Sequence, residues 1–172
     1  MDIFKRIAEY KAENEKLQWT GTFRDYIELL RKDPSPAMTA HARVYEMLIS
    51  HGVEEVDGRK RYKFFEREIF GLDRALERLV EEYFHSAAKR LDVRKRILLL
   101  MGPVSGGKST IVTMLKRGLE QFSKTDKGAV YAIKGCPMHE EPLHLIPHEL
   151  RPEVEQELGV RIEGNLCPSC AM

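Results

Sequence analysis

The sequence predicts an α/β protein: a helical N-terminal segment over residues 1–66, then, over 67–172, the first part of a three-layer domain with an incomplete parallel sheet. Three observations carry that expectation. The unbroken apolar run Ile97-Leu98-Leu99-Leu100-Met101 leads through a glycine-rich loop into an amphipathic stretch. A second apolar run, Ala129-Val130-Tyr131-Ala132-Ile133, follows it and completes a strand–loop–helix–strand unit. The residues before 67 show only short helical stripes interrupted by Gly and Pro.

Taken in order, Phe4, Ile7, Ala8 and Lys11 form a weak helical stripe that ends near Trp19-Thr20-Gly21. Thr22-Phe23-Arg24-Asp25 has the form of a capping box with a short acidic partner, so a second helix carries Tyr26, Ile27, Leu29 and Leu30 to Lys32, and Pro34 stops it. Ser35-Pro36 suits a third helix start, with Ser as cap and Pro at the first position, and Gly52 ends that helix after Val44, Met47, Leu48 and Ile49. Asp57-Gly58 signals a turn, and Tyr62-Lys63-Phe64-Phe65 reads as a short strand or an extended linker near the domain boundary.

From Gly71 the pattern sharpens. Leu72, Ala75, Leu76, Leu79, Val80, Tyr83, Phe84, Ala87, Ala88 and Leu91 recur at three- and four-residue steps, the clearest amphipathic helix in the chain. Arg94-Lys95-Arg96 reads as a solvated strand entrance, since no aromatics interleave it. Beyond the loop, Ile111, Val112, Leu115, Leu119 and Phe122 mark the next helix, and another short one runs from Pro152 to Gly159.

Composition excludes several function classes. With 28 Lys plus Arg against 27 Asp plus Glu in 172 residues, the net charge of +1 argues against nucleic-acid or membrane binding by charge alone. The longest apolar run is far below the roughly 20 residues a membrane-crossing helix needs. The N-terminus has no export-type apolar core, so a cytoplasmic protein is expected. The 3 cysteines crowd toward the C-terminus, which suits a reducing compartment and metal ligation better than disulfides.

Gly102-Pro103-Val104-Ser105-Gly106-Gly107-Lys108-Ser109-Thr110 fits G-x-x-x-x-G-K-[ST] without a mismatch. A triphosphate must be held without bulky side chains in the way, so the glycines let backbone N–H groups wrap the β-phosphate beside a helix N-terminus. Lys108 is the candidate for the β- and γ-phosphates, Ser109 for Mg²⁺ and Thr110 for the α-phosphate. Binding is not hydrolysis, which also needs an acidic residue at the end of a second strand. After Lys108 no four apolar residues are followed by Asp or Glu: residues 129–133 run into Lys134-Gly135, and Leu143-His144-Leu145-Ile146 into Pro147-His148-Glu149. A doubly wound domain also needs about five strands to bury its sheet, so this domain is expected to be only partly contained in the chain.

Cys136-Pro137-Met138-His139 and Cys167-Pro168-Ser169-Cys170 are two C-x₂-[CH] knuckles, the pattern of a structural zinc site. Cys136, His139, Cys167 and Cys170 are the candidate ligands; His144 and His148 are either substitutes for His139 or surface histidines. Four ready ligands leave no open position for catalysis, and no thioredoxin-like strand precedes the C-x-x-C.

Three segments together resemble the bacterial serine protein kinase PrkA family: Glu68-Ile69-Phe70-Gly71-Leu72-Asp73, the loop at 102–109, and Cys136-Pro137-Met138-His139-Glu140-Glu141-Pro142-Leu143-His144-Leu145-Ile146-Pro147. Trp19-Thr20-Gly21-Thr22-Phe23 and Thr39-Ala40-His41 also look like its N-terminal region. The resemblance implies an AAA-type P-loop ATPase core behind a helical segment, in a longer protein with a kinase-like region. It implies Mg-ATP as cofactor, packing of AAA domains into homo-oligomers, and an activity that is either serine/threonine phosphotransfer or ATP-dependent proteolysis on a protein substrate. It carries over here only to the phosphate loop. The competing reading is a zinc-stabilised interaction module with a vestigial P-loop.

Overall fold

A computed structural model describes residues 2–89 and 98–171 as a mixed, mainly helical protein with one two-stranded antiparallel sheet. The helices are α1 (Ile3–Lys16), α2 (Phe23–Lys32), α3 (Ala40–Ser50), α4 (Asp73–Arg78), α5 (Ser86–Ala88), α6 (Lys108–Phe122), α7 (Arg151–Leu158) and α8 (Pro168–Ala171), and the strands are β1 (Val53–Val56) and β2 (Arg59–Tyr62). Two compact units form: residues 35–130, and residues 1–34 with 131–172. The boundary read near residue 66 falls inside the first of these, between the hairpin and α4.

In the 35–130 unit, Asp57 and Gly58 adopt φ of 52° and 71°, the left-handed pair that a type I′ turn requires, and Val56 pairs with Arg59 across it. β2 delivers Tyr62 into the core, and a 3₁₀ turn, Lys63–Phe65, then buries Phe65. α4 continues through a π-helical turn, Leu79–His85, into α5, placing Leu76, Leu79, Val80 and Phe84 against Met47, Leu48, Ile111 and Met114. Each large side chain buried this way contributes about 1.5–3 kcal/mol. Glu81 fastens the hairpin to the π turn: it accepts from the Lys60 ammonium at 2.8 Å and from the Tyr62 hydroxyl, and meets His85 Nδ1 at 3.1 Å. Gly118 of α6 sits where a Cβ would lie 2.7 Å from the Phe64 ring and 2.8 Å from Met47 Sδ, so close packing requires the missing side chain.

In the other unit, the Thr22–Asp25 capping box forms in both directions and starts α2, which buries Tyr26 and Leu30. Tyr26 donates to Glu141 at 2.7 Å and its ring packs on Tyr131, which also meets Trp19 edge-on. Leu143, Ile146, Leu158 and Ile162 complete this core. Arg151 is buried among them, donating from Nε to the Ile146 carbonyl at 3.1 Å and from Nη1 to the Gly164 carbonyl at 2.7 Å.

Several expectations need correction. The third helix begins at Ala40, not at Ser35-Pro36: residues 35–37 make a 3₁₀ turn, and extended Thr39 supplies the cap by accepting from Ala42 N at 3.3 Å. The stretch 62–65 is neither strand nor linker throughout, because β2 ends at Tyr62 and the chain turns at once. The long helix after Gly71 is wound in the π form at its centre; Leu91, the Arg94–Arg96 triplet and Ile97 lie outside the described residues. Residues 98–101 and 129–133 form no strands, so the parallel sheet is not formed among the described residues. A strand exists only through lateral partners, and here the Ile133 N–H is taken by the Glu140 carbonyl at 2.9 Å instead. Among the described residues no helix is long and apolar enough to cross a membrane.

Two substitutions test this packing. Gly118→Leu is expected to destabilise the protein by about 1–3 kcal/mol, despite leucine's better helix propensity, because the site is already filled. Arg151→Met keeps the apolar volume but leaves the buried Ile146 carbonyl without its donor, and should lower stability by about 1–3 kcal/mol. Urea midpoints, compared with wild type, check both; an unchanged midpoint refutes the packing or the carbonyl clamp respectively.

Candidate functional site

The phosphate-loop motif spans the turn into α6. Gly107 stands before the helix at φ 76°, Ser105 at φ 63°, and the Gly106 N–H reaches the Pro103 carbonyl at 3.2 Å. The alternation of left-handed residues curls the loop so that its amides can line a concave face, an arrangement suited to anions. A Cβ at Gly106 would lie 3.0 Å from the Pro103 oxygen, so a larger residue there would press on the loop backbone.

Gly102, Pro103, Val104 and Ser105 are exposed, as is Ser109 in the first turn of α6; Thr110, next along, is half-buried. Lys108 folds back over the loop, donating to the carbonyls of Gly102 at 2.9 Å and Pro103 at 2.5 Å. Its ammonium is thus held over the loop on which the motif would seat phosphate. The residues fit a nucleotide phosphate chain: glycine-dependent backbone, one lysine, one hydroxyl, and the start of a 15-residue helix.

The second cluster lies in the unit formed by residues 1–34 and 131–172. The sulfurs of Cys136, Cys167 and Cys170 all lie within 4.8 Å of one another, with Cys136 and Cys167 only 3.5 Å apart. Cys136 and Cys167 are buried, and Cys170 is half-buried. His139 does not join them: its backbone closes the turn, donating to the Cys136 carbonyl at 3.2 Å, but the residue is exposed. His148 is exposed too.

His144 has a different role from the one sequence spacing suggested. One ring nitrogen meets Glu140 Oε1 at 2.6 Å and the other meets the Glu163 carbonyl at 2.5 Å, so neither is left for a metal. The other oxygen of Glu140 accepts the Cys167 N–H at 2.7 Å. Sequence reasoning missed this Glu140–His144 brace, although the four-residue spacing was a signal for it.

The electrostatics follow. The hydrogen bond from His144, aided by the Cys167 N–H against the opposing effect of burial, holds the Glu140 carboxyl below its ordinary range. Burial works to raise the Cys136 thiol, but hydrogen bonds from the backbone of Glu140 and Met138 and from the other thiols bring it below its usual value. Sharing with Cys136 pushes the Cys170 thiol up to about 12. The shared hydrogen bonds therefore ease loss of the proton from Cys136 and oppose it at Cys170.

Comparison with known proteins places the chain in a family. The PrkA AAA domain matches residues 21–172. The chain is 66% identical over 168 residues to the ATP-dependent protease PrkA of Bacillus subtilis (strain 168), covering 98% of this chain and 27% of that protein. It is 63% identical over 97 residues to an uncharacterized protein in the gldA 5' region of Geobacillus stearothermophilus, covering 56% of this chain and all 100% of that one. Identity to the serine/threonine kinase YeaG of Escherichia coli (strain K12) is 33% over 105 residues, 58% of this chain and 15% of YeaG. The chain thus spans about a quarter of the B. subtilis relative's length. No solved structure matches it. The matched residues include the phosphate loop and all three cysteines, and the chain belongs to the PrkA AAA domain family.

Proposed function

We propose that this chain binds Mg-ATP through residues 102–110, as the N-terminal part of a PrkA-type AAA protein in which residues 1–66 precede the nucleotide-binding part. The observation that carries this reading is the complete G-x-x-x-x-G-K-[ST] motif on a left-handed loop that opens into α6, with Lys108 folded over it. In this reading Lys108 exchanges its bonds to the Gly102 and Pro103 carbonyls for β- and γ-phosphate oxygens. The Ser109 hydroxyl is a ligand to Mg²⁺, which prefers oxygen, and Thr110 serves the α-phosphate. Bound Mg²⁺ would neutralise phosphate charge.

The relatives' names point to different overall activities, an ATP-dependent protease in one case and a serine/threonine kinase in the other. Nucleotide use is what the two share. We therefore assign nucleotide binding to this chain and leave phosphotransfer or proteolysis to the whole protein. Residues 98–101 and 129–133 are proposed to pair as parallel strands when further strands of the domain are present, because an apolar strand is stable only inside a covered sheet. Packing of AAA domains between subunits belongs to the same proposal.

A fluorescent ATP analogue titrated with and without Mg²⁺ tests the site. Lys108→Ala should weaken Mg²⁺-dependent binding at least about tenfold, the scale of one lost charge-assisted hydrogen bond; equal binding by the variant refutes the assignment. Residues 98–171 hold no acidic strand end after the loop, so this chain should show no ATP turnover above the Lys108→Ala background. Phosphate release from purified protein measures it, and a steady rate abolished in Lys108→Ala would be the contrary result.

A further inference from the structure

We propose that Cys136, Cys167 and Cys170 bind one zinc-class divalent ion as thiolates, with His139 as the fourth ligand, so that the metal clasps the 136–140 turn to the segment around α8. The site is independent of the nucleotide reading: its ligands are sulfur and imidazole, whereas Mg²⁺ at Ser109 would be held by oxygen alone.

The spacing of the sulfurs is the first argument. A tetrahedral ion with metal–sulfur bonds of about 2.3 Å separates its sulfurs by about 3.8 Å. The Cys136–Cys167 separation of 3.5 Å, and the 4.8 Å that bounds all three, bracket that value. A disulfide would need about 2.05 Å, and three sulfurs cannot all pair.

The second argument is the support around them. The ligands come from two turns far apart in sequence, and each turn is fixed by groups that are not themselves ligands. Glu140 takes the Cys167 N–H, His144 ties Glu140 to the Glu163 carbonyl, and Arg151 takes the Gly164 carbonyl. Metal sites depend on such outer partners to orient their ligands. The cysteine turns are also internally bonded: Cys170 N donates to the Cys167 carbonyl at 3.0 Å, as His139 N does to that of Cys136.

The third argument selects the fourth ligand. His144 is excluded because both its ring nitrogens are engaged. His139 lies three residues after Cys136 on the same turn, the spacing of a zinc knuckle, with its backbone held at φ 50°. Its ring is exposed and not packed into the core. Three thiolates and a neutral imidazole suit a soft or borderline ion such as Zn²⁺, and discriminate against Mg²⁺ and Ca²⁺.

The test uses the whole chain, purified under reductant. Metal analysis should find one zinc per chain, and cobalt(II) in its place should give the sulfur-to-metal charge-transfer and strong visible bands of a tetrahedral thiolate site. Cys170→Ser alters the half-exposed ligand and should keep the fold by far-UV circular dichroism while losing zinc at least about a hundredfold more readily to a chelator. His139→Asn, at an exposed position, should fold normally, bind at least about tenfold more weakly and shift the visible cobalt bands. Lys108→Ala should retain its zinc, which separates this site from the nucleotide site. A folded wild-type protein that takes up neither zinc nor cobalt overturns the proposal, as does zinc retention unaffected by Cys170→Ser. Unchanged affinity and spectrum in His139→Asn overturn the four-ligand assignment.

Discussion

The constraint on which the second unit depends is that its backbone must satisfy its hydrogen-bonding groups without a sheet. Residues 131–150 and 160–167 carry no strand, yet Leu143, Ile146, Ile162 and both buried cysteines lie among them. Buried N–H and C=O groups without partners would cost more than the apolar burial gains. Side chains meet the need instead. Arg151 takes carbonyls at 146 and 164, Glu155 takes the Ile162 N–H at 2.7 Å, and Glu140 takes the Cys167 N–H. A buried arginine is costly by itself, but here its planar fork replaces part of a ladder, and the segment it fixes is the one that brings Cys167 and Cys170 to Cys136.

The phosphate loop solves a related problem with the opposite means. Its working groups are backbone amides, so the sequence must remove side chains rather than supply them. Gly106 leaves room for the Pro103 oxygen and Gly107 allows the left-handed step into α6. Lys108 meanwhile satisfies its ammonium on carbonyls of the same loop, and those bonds also keep the curl closed. Under the proposed nucleotide reading a net charge of +1 is no obstacle, because one lysine, a metal and oriented amides would replace a broad basic surface.

What could be read from the sequence was what is decided within a few residues. The Thr22–Asp25 box, the Asp57-Gly58 turn, the helix after Lys108 and the glycine stop at Gly159 are local matters, settled by caps, φ values and periodicity. The phosphate loop and the cysteine knuckles were visible because their chemistry is contiguous. What sequence reading missed depends on partners. β1 reads as a charged stretch, Val53-Glu54-Glu55-Val56, and becomes a strand only by pairing with β2. The π winding at 79–85 occurs where Glu81 meets Lys60, Tyr62 and His85, none of which is close to it in sequence except His85. The runs at 98–101 and 129–133 have strand composition without strand neighbours.

The same distinction separates His144 from His139. Both are C-terminal neighbours of Cys136 with metal-ligand chemistry, and spacing alone leaves them as alternatives. Geometry separates them, because the His144 ring bridges Glu140 and the Glu163 carbonyl, while the His139 ring is exposed to solvent. Three sulfurs held this close, two of them buried, crowd ligand atoms that would repel one another once ionised. In the proposed site a divalent ion would supply positive charge, displace the thiol protons and turn that crowding into coordination, at the point where the pinned 163–167 segment meets the 136–140 turn.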